Sequence, residues 1–213
     1  MLRLNTLKCK LCFLSLSNID VADLYQKAVN YFLLNSWCFS CPTCGMQQGS
    51  WIRYGTYSRW VITYSAVTGT VQTQLKIQRM LCRHCRSGGE LHTHALLADF
   101  IVPYRQYSIQ FILHFLMLYY THQKSVEEIC AEARISPTQL YEWDRTITKN
   151  REIWSGILTF EQEQARRQVL AEFVSYLREE VLYPDFAQQY CLKSPKSFLQ
   201  RHTNPANSHR LRL

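Results

Sequence analysis

Cys41-Pro42-Thr43-Cys44 and Cys82-Arg83-His84-Cys85 are two C-x-x-C pairs, separated by residues 45–81. The two thiolates of each pair can bind the same metal ion, while backbone N–H groups of the turn between them point toward the sulfurs. Four thiolates are typical of a tetrahedral structural zinc site, which leaves no open position for water or a substrate. The pairs therefore predict one structural Zn²⁺, with Cys41, Cys44, Cys82 and Cys85 as its ligands.

The residues between the two pairs have the pattern of two antiparallel strands. Residues 71–78 alternate apolar or β-branched side chains with Gln and Lys, which is the period of a half-exposed strand. Residues 51–64 are rich in aromatic and β-branched residues and are expected to pair with this strand. A hairpin that leaves the metal site and returns to it explains the long separation of the pairs. Residues 38–103 are therefore predicted to form a zinc ribbon followed by a connector.

Other arrangements of the cysteines stay open. Cys38 lies three residues before the first pair and His84 lies inside the second, so either could replace a cysteine ligand. Four buried or disulfide-linked cysteines are the alternative to a metal site. Cys9-Lys10-Leu11-Cys12 has no complementary pair and is interpreted as two semi-buried thiols, with a second metal site as the alternative. Cys130 and Cys191 are expected in the core, because free Cys behaves as a small hydrophobe.

Basic residues concentrate around the predicted ribbon. The net charge is +8, and residues 51–105 contain seven Lys or Arg against two Asp or Glu. Aromatic residues between Trp51 and Trp60 are interleaved with these cations, a mixture suited to phosphate contacts and base stacking. The alternative is a solvated basic face whose aromatic rings pack the ribbon. The DNA contacts predicted here are Arg53, Arg59, Lys76 and Arg79.

Residues 126–143 have the apolar spacing of a helix-turn-helix. Ser125 and Glu128 stand in capping-box spacing for the first helix. Ser136 followed by Pro137 marks the start of the second helix, whose N-terminal turn would enter the major groove. The side chains expected to face outward from the second helix are Thr138, Gln139, Tyr141, Glu142 and Arg145, and all of them except Glu142 are predicted DNA contacts.

Two features oppose strong DNA binding by this segment. Arg134 occupies the turn position usually held by Gly, and a left-handed residue other than Gly costs about 1 kcal/mol. Residues 106–150 contain five acidic residues against four basic ones, whereas affinity for duplex DNA depends on neutralising phosphates. A plain helical hairpin is the alternative. The predicted inner seam consists of Ile129, Ile135, Leu140 and Trp143, with Cys130 as the small residue at the helix crossing.

The whole chain is predicted to be α+β, a small zinc-ribbon hairpin module followed by a helical bundle. Apolar residues make up 47% and charged residues 19% of 213 residues, which excludes a disordered chain. No apolar run approaches the roughly 20 residues of a membrane helix, and C-x-x-C pairs without a clear export signal indicate a reducing cytoplasm. The predicted segments are 1–37 (mixed strand and helix, with Asp20 as a helix cap), 38–103 (ribbon and connector), 104–150 (helix-turn-helix, preceded by an apolar helix capped by Ser108) and 151–213 (helical, with a basic irregular tail).

The span from Cys41 to about Trp143 resembles a family of uncharacterised bacterial proteins that join a zinc ribbon to a helix-turn-helix. These proteins are similar to the N-terminal DNA-recognition parts of insertion-sequence transposases. The specific features of the resemblance are the two cysteine pairs and the phrase His94-Ala95-Leu96-Leu97-Ala98-Asp99-Phe100-Ile101-Val102-Pro103-Tyr104. The resemblance implies transposon-related DNA binding in the bacterial cytoplasm.

A catalytic domain is not expected. A transposase of the three-carboxylate type needs acidic residues delivered by a βαβ-rich nuclease domain that binds two metal ions. Residues 151–213 show no such pattern, and their acidic residues are interpreted as a solvated helix face. No nucleophile and base can be paired from the sequence.

We therefore predict a sequence-specific duplex DNA-binding protein, related to mobile-element transposases and lacking a nuclease domain of its own. Its partners would be duplex DNA and, in addition, a transposase or another protein subunit, but no membrane. One alternative is an adaptor that docks a separate catalytic subunit through its acidic helices. A second is a single-strand or RNA binder that uses the ribbon aromatics, and a third is a truncated remnant.

Overall fold

The computed structural model combines helices with one sheet, which confirms the predicted mixture of α and β structure. The described strands are β1 (Leu2–Arg3), β2 (Trp51–Ser65), β3 (Gly69–Cys82) and β4 (Thr93–Leu97). The described helices are α1 (Val21–Leu34), α2 (Arg83–Ser87), α3 (Ile109–Tyr120), α4 (Val126–Ala133), α5 (Pro137–Lys149), α6 (Arg151–Ser155) and α7 (Arg166–Arg178), with a 3-10 turn at Ser36–Cys38. The structure describes residues 2–3, 20–41, 43–46, 51–65, 68–87, 93–155, 166–178, 186, 190 and 198–200.

Strands β2 and β3 form the long antiparallel hairpin predicted from the alternating pattern. Their register runs from Trp51 opposite Cys82 to Ser65 opposite Gly69, with one bulge between Arg53 and Gly55. Along β3 the apolar members of the alternation at residues 75 and 77 are buried, while their polar neighbours at 74 and 76 are exposed. The hairpin therefore returns the chain to the place where it started, next to the first cysteine pair.

The predicted connector contains a strand of its own. β4 pairs antiparallel with β3, with Met80 opposite His94, and β1 pairs in parallel with β4, so the sheet order is β1-β4-β3-β2. The side chain of Tyr25 in α1 ties this part of the sheet together, because its hydroxyl donates to the Leu96 carbonyl at 3.0 Å and accepts from the Gln78 N–H at 2.8 Å. The apolar run in β4 does not alternate, since neighbouring strands and helices bury it (residues 96 and 97).

The helices begin where the sequence predicts them. The side chains of Asp20, Ser108 and Ser136 each accept a backbone N–H from the first turn of α1, α3 and α5. Ser125 and Glu128 form the predicted capping box of α4. The segment 151–213 is predicted to be helical with a basic irregular tail. Its described helices are α6 and α7, and residues 201–213 of the tail lie outside the described residues.

One cluster of buried side chains connects the sheet and the helices. It includes residues from α1, β3, α3, α5 and α7 that have no exposed surface, such as Phe32, Ile77, Phe111, Trp143 and Phe173. Fully buried aromatic side chains of this size dominate the energetics of a core. None of the described helices is both long and apolar enough to span a membrane.

His114 makes the stability of this core dependent on pH. Its ring stacks on Tyr64 of the hairpin at a centroid distance of 4.1 Å. Burial, helped by the charge of Arg178 and opposed by Glu132, lowers the pKa of His114 to about 4, whereas an unfolded histidine titrates near about 6.5. Between these two values the unfolded chain takes up a proton that the folded chain does not. Stability should therefore fall as the pH is lowered through this window.

His114→Phe keeps an aromatic ring on Tyr64 and removes this titration. We expect the loss of stability between about pH 6.5 and pH 4 to shrink by about 1 kcal/mol, a value reduced from the full shift because the ring is partly exposed. Urea unfolding at both pH values measures it. His122→Asn, which removes an exposed histidine at a left-handed position (φ 53°), is the control. An equal effect of the two substitutions would contradict the assignment.

Candidate metal centre and basic cleft

The four cysteines predicted as ligands converge at the base of the hairpin. Their sulfur atoms all lie within 4.8 Å of one another. The Sγ atoms of Cys41 and Cys85 are 3.6 Å apart, and those of Cys44 and Cys82 are 3.9 Å apart. Three of the four side chains are buried, and Cys44 is exposed. Four sulfurs gathered in this way could hold a metal ion.

Each C-x-x-C pair folds into a turn that supports its first sulfur. The backbone N–H groups of Thr43 and Cys44 donate to the sulfur of Cys41, and those of His84 and Cys85 donate to the sulfur of Cys82. Burial by itself would raise the pKa of the Cys41 thiol. The two N–H donors outweigh this effect and lower the pKa of Cys41 to about 7. Burial and the neighbouring thiols raise the pKa of Cys85 to about 12. Four thiolates can therefore coexist here only around a cation.

His94 is a neighbour of the cluster that the sequence did not single out. Its Nε2 lies 3.7 Å from the sulfur of Cys41, and its ring packs edge-on against Trp51 at 5.7 Å. His94 is buried, and it reaches the sulfurs because β4 pairs with β3. No local pattern could have revealed a contact that depends on this pairing.

The other cysteines and the histidine considered as ligands from the sequence lie in three different places. His84 is exposed and is not a member of the sulfur cluster. Cys130 is buried in α4, as expected of a core thiol. The side chain of Cys38, the pair Cys9–Cys12 and Cys191 lie outside the described residues.

The four predicted DNA contacts of the hairpin do not share one surface. Paired residues of antiparallel strands lie on the same face, and successive residues alternate between faces. In the register of β2 and β3, Arg59 and Arg79 lie on one face of the hairpin, while Arg53 and Lys76 lie on the other. A ligand bound to one face can therefore contact only one of these two pairs of cations.

The face with Arg59 and Arg79 borders a cleft of about 720 Å³, which we name the basic cleft. Its walls come from three strands and a loop: Tyr57, Arg59 and Trp60 of β2, Arg79 of β3, Thr93, Ala95 and Leu97 of β4, and the loop 103–106. Arg79 is exposed and donates a hydrogen bond to Thr93 Oγ1. The guanidinium of Arg59 instead donates to the carbonyl of Val102 at 2.6 Å and to that of Arg105. Arg59 therefore holds the loop in place.

Helix α5 exposes three of its four predicted DNA contacts. Thr138, Tyr141 and Arg145 are exposed, whereas Gln139 is half-buried. Gln139 Nε2 donates to Glu142 Oε2 at 3.2 Å. The expectation that Glu142 faces outward is wrong, because its other carboxylate oxygen lies 3.2 Å from the guanidinium of the buried Arg105. The ion pair with Arg105 holds the Glu142 carboxylate against the loop that packs on α5.

The connection between α4 and α5 has the backbone expected from its sequence. Arg134 ends α4 in the left-handed conformation (φ 54°, ψ 47°), and its N–H donates to the Cys130 carbonyl. Ile129, Cys130 and Ala133 of α4 are buried, as are Leu140 and Trp143 of α5. The two short helices therefore pack on a shared apolar seam around a tight turn.

Residues 41–143 match a family described as Domain of unknown function (DUF6431). The matched segment is just under half of the chain and contains all four clustered cysteines, the hairpin, the basic cleft loop and the first half of α5. No curated protein and no solved structure shows a significant match to the chain. The comparisons thus place the metal centre and the cleft inside one family segment and assign it no activity.

Proposed function

We propose that the four clustered cysteines bind one structural Zn²⁺ and make the hairpin a zinc ribbon. Zn–S bonds of about 2.3 Å in a tetrahedron place the sulfurs about 3.8 Å apart. The separations of 3.6 Å and 3.9 Å lie on either side of that value. Cys41, Cys44, Cys82 and Cys85 would fill all four positions, so the ion would support the fold and leave no position for a substrate.

We further propose that α4 and α5 act as a helix-turn-helix and that the protein binds duplex DNA with sequence preference. The observation that carries this proposal is a concave surface shared by the hairpin and α5. A depression of about 340 Å³, lined by residues 104–107 and Gln139, adjoins the basic cleft through their common loop residues. Arg79 of the ribbon and the N-terminal turn of α5 therefore flank the same loop. A duplex lying along it would contact both.

The acidity of the helical region does not oppose this function. Four of its five acidic residues form bonds inside the chain, so they do not form a continuous acidic face toward DNA. Glu128 caps α4, Glu132 pairs with Lys124, Glu142 pairs with Arg105, and Asp144 accepts from the Tyr120 hydroxyl. The outward side of α5 is left with neutral residues and with Arg145 and Lys149.

The same proposal extends to a role in mobile elements of the bacterial cytoplasm. Its support is the resemblance of the span from Cys41 to Trp143 to DNA-recognition parts of transposases. Four thiolate ligands would leave the proposed zinc no open position for a substrate, and within this proposal catalysis is assigned to a separate transposase or other subunit. An adaptor without DNA affinity is the competing function.

Substitutions in the two parts of the surface should have different effects on DNA binding. Arg79→Ala and Arg145→Ala are expected to weaken binding to all sequences and to reduce the salt slope by about 1 each, because each removes one phosphate contact. Gln139→Ala is expected to relax sequence preference, with a loss of about 1–3 kcal/mol on the preferred site only. Selection of duplexes from a random pool, followed by salt titrations, measures both effects.

Lys27→Ala is the matched control for these variants. Lys27 is an exposed cation of α1, paired with Asp23, and belongs neither to the hairpin nor to α5. It should leave affinity and salt slope close to those of the parent. If Lys27→Ala weakens binding as much as Arg79→Ala and Arg145→Ala do, the DNA-binding proposal fails and the adaptor function is favoured. The same conclusion follows if the parent binds DNA no better than an unrelated protein of equal charge.

A further inference from the structure

We propose that the basic cleft binds an unpaired nucleotide of DNA, with its base stacked on exposed aromatic rings and its phosphate on Arg79. This inference rests on the proposed function, since it specifies the form of DNA that the protein prefers. It concerns a part of the surface that the helix-turn-helix does not use. The cleft volume of about 720 Å³ lies within the range of about 300–1,000 Å³ that is common for ligand sites.

The first argument is the exposure of aromatic side chains in the cleft. Tyr57 is 39% exposed, Trp60 is 48% exposed and Tyr104 is 70% exposed, and all three line the cleft. Large apolar side chains that are exposed together mark a binding surface. Bases inside a paired duplex are covered above and below by their neighbours. An aromatic ring can therefore stack on a base only where that base is unpaired.

The second argument is the conformation of Tyr104. Its φ is 60°, a left-handed conformation that is unfavourable for a bulky residue. Arg59 binds the carbonyls of Val102 and Arg105, which lie on the two sides of Tyr104. The N–H of Ile62 donates to the Gln106 carbonyl at 2.7 Å and anchors the loop again.

These contacts hold a strained backbone while the ring stays in solvent. The ring gains little from burial in the fold, so packing does not explain why it is held at this place. Such outliers, fixed by their surroundings, are concentrated at ligand sites. Tyr104 is therefore a rigid stacking platform at the mouth of the cleft.

The third argument is the charge of the cleft. Three arginines line it, and none of the described lining residues is acidic. Arg59 binds loop carbonyls and Arg105 binds Glu142, so these two form the wall. Arg79 donates to Thr93 and retains further N–H groups of its five. A cationic side chain beside an aromatic platform suits a ligand that carries a phosphate next to a flat base, which is a nucleotide. The same surface disfavours a cationic or a purely apolar ligand.

The experiment compares three forms of one duplex: fully paired, with one extrahelical 2-aminopurine, and with a single-stranded tail that begins with 2-aminopurine. Fluorescence anisotropy measures affinity, and quenching of 2-aminopurine reports stacking. We expect at least one unpaired form to bind about tenfold more tightly than the paired form and to be quenched. Comparison of the extrahelical and tailed forms identifies the source of the unpaired base.

Three variants distinguish the platform from a general contact. Tyr104→Asn replaces the ring with a side chain that tolerates the left-handed backbone, so it should abolish both the quenching and the tenfold preference for the unpaired form over the paired form. Tyr104→Phe should restore both. Trp37→Ala, a substitution of an exposed ring outside the cleft, should change neither. Thermal unfolding confirms that each variant is folded.

The outcomes separate this inference from the proposed function. Equal affinity of the parent for all three forms overturns the inference and leaves duplex binding intact. Binding of the unpaired forms alone, without affinity for paired DNA, supports the inference and overturns the proposed duplex reader. If Tyr104→Asn lowers the affinity for all three forms by the same factor and keeps the tenfold preference, the inference is overturned, because the ring would then be a general contact. No binding to any form overturns both.

Discussion

Cys82→Ser is expected to release the metal and to lower the free energy of unfolding by at least about 3 kcal/mol. Cys82 is fully buried at the end of β3, and its sulfur lies 3.9 Å from that of Cys44. A serine hydroxyl is a poor replacement for a thiolate ligand of zinc. The remaining thiols would be left crowded in a small core whose other described neighbours are Trp51 and His94. Native mass spectrometry and urea unfolding measure the two losses.

Cys130→Ser is the matched control for this substitution. Cys130 is a buried thiol of α4 outside the sulfur cluster, so the same chemical change there carries only the cost of a polar group in the core. It should keep one metal per chain. Chelation of the metal from the parent should reproduce the loss seen in Cys82→Ser. If Cys82→Ser retains the metal, or if chelation leaves stability unchanged, the proposed ligand set is wrong.

Arg105→Met should destabilise the protein by about 3 kcal/mol. The Arg105 side chain is buried, and its Nε donates to the Leu199 carbonyl at 2.8 Å while its guanidinium lies 3.2 Å from Glu142. A second guanidinium contact reaches Thr146 Oγ1 at 3.4 Å. Methionine fills a similar volume but leaves the largely buried carboxylate without this cation. The expected loss is the one seen when one partner of a buried ion pair is removed and the other charge stays without a partner.

Chemical denaturation of Arg105→Met and Lys27→Met provides the comparison. Lys27 and Asp23 form an ion pair on the exposed side of α1, with a separation of 2.8 Å. Breaking an exposed pair of this kind changes stability by less than about 1 kcal/mol. The double variant Arg105→Met/Glu142→Gln should recover part of the loss, because no buried charge is left alone. Equal effects of the two single substitutions would show that Arg105 does not anchor α5.

The local elements of the fold were predictable because each depends on neighbours in sequence. The alternation in residues 71–78 predicts the strand, since one face of the hairpin is covered and the other is not. Ser125 and Glu128 predict the start of α4, because capping needs only groups within one turn. The spacing within each C-x-x-C pair is likewise a local property of a turn.

Features that depend on distant segments could not be predicted. β4 carries no alternation of polar and apolar residues, and Leu96 and Leu97 are both buried by its neighbours. Glu142 stands at an outward position by helical spacing, yet Arg105 from a distant loop pairs with it. Arg53 and Arg59 lie on opposite faces of the hairpin because a bulge between Arg53 and Gly55 changes the alternation along β2. The basic cleft is visible only when hairpin, β4 and loop are packed together.

The amino-acid sequence by itself determined the β2–β3 hairpin, the starts of α1, α3, α4 and α5, and which four sulfurs belong together. Periodicity, caps and turn spacing are short-range properties, and they are readable along a single segment. The tertiary structure alone decided that His94 lies beside the sulfur of Cys41 and that Arg59 binds carbonyls of the loop 103–106 and of Val102. It also decided that the exposed ring of Tyr104 is held at the mouth of a positively charged cleft. The physical reason is that these contacts join residues far apart in the chain, whose meeting depends on how sheet and helices share one core.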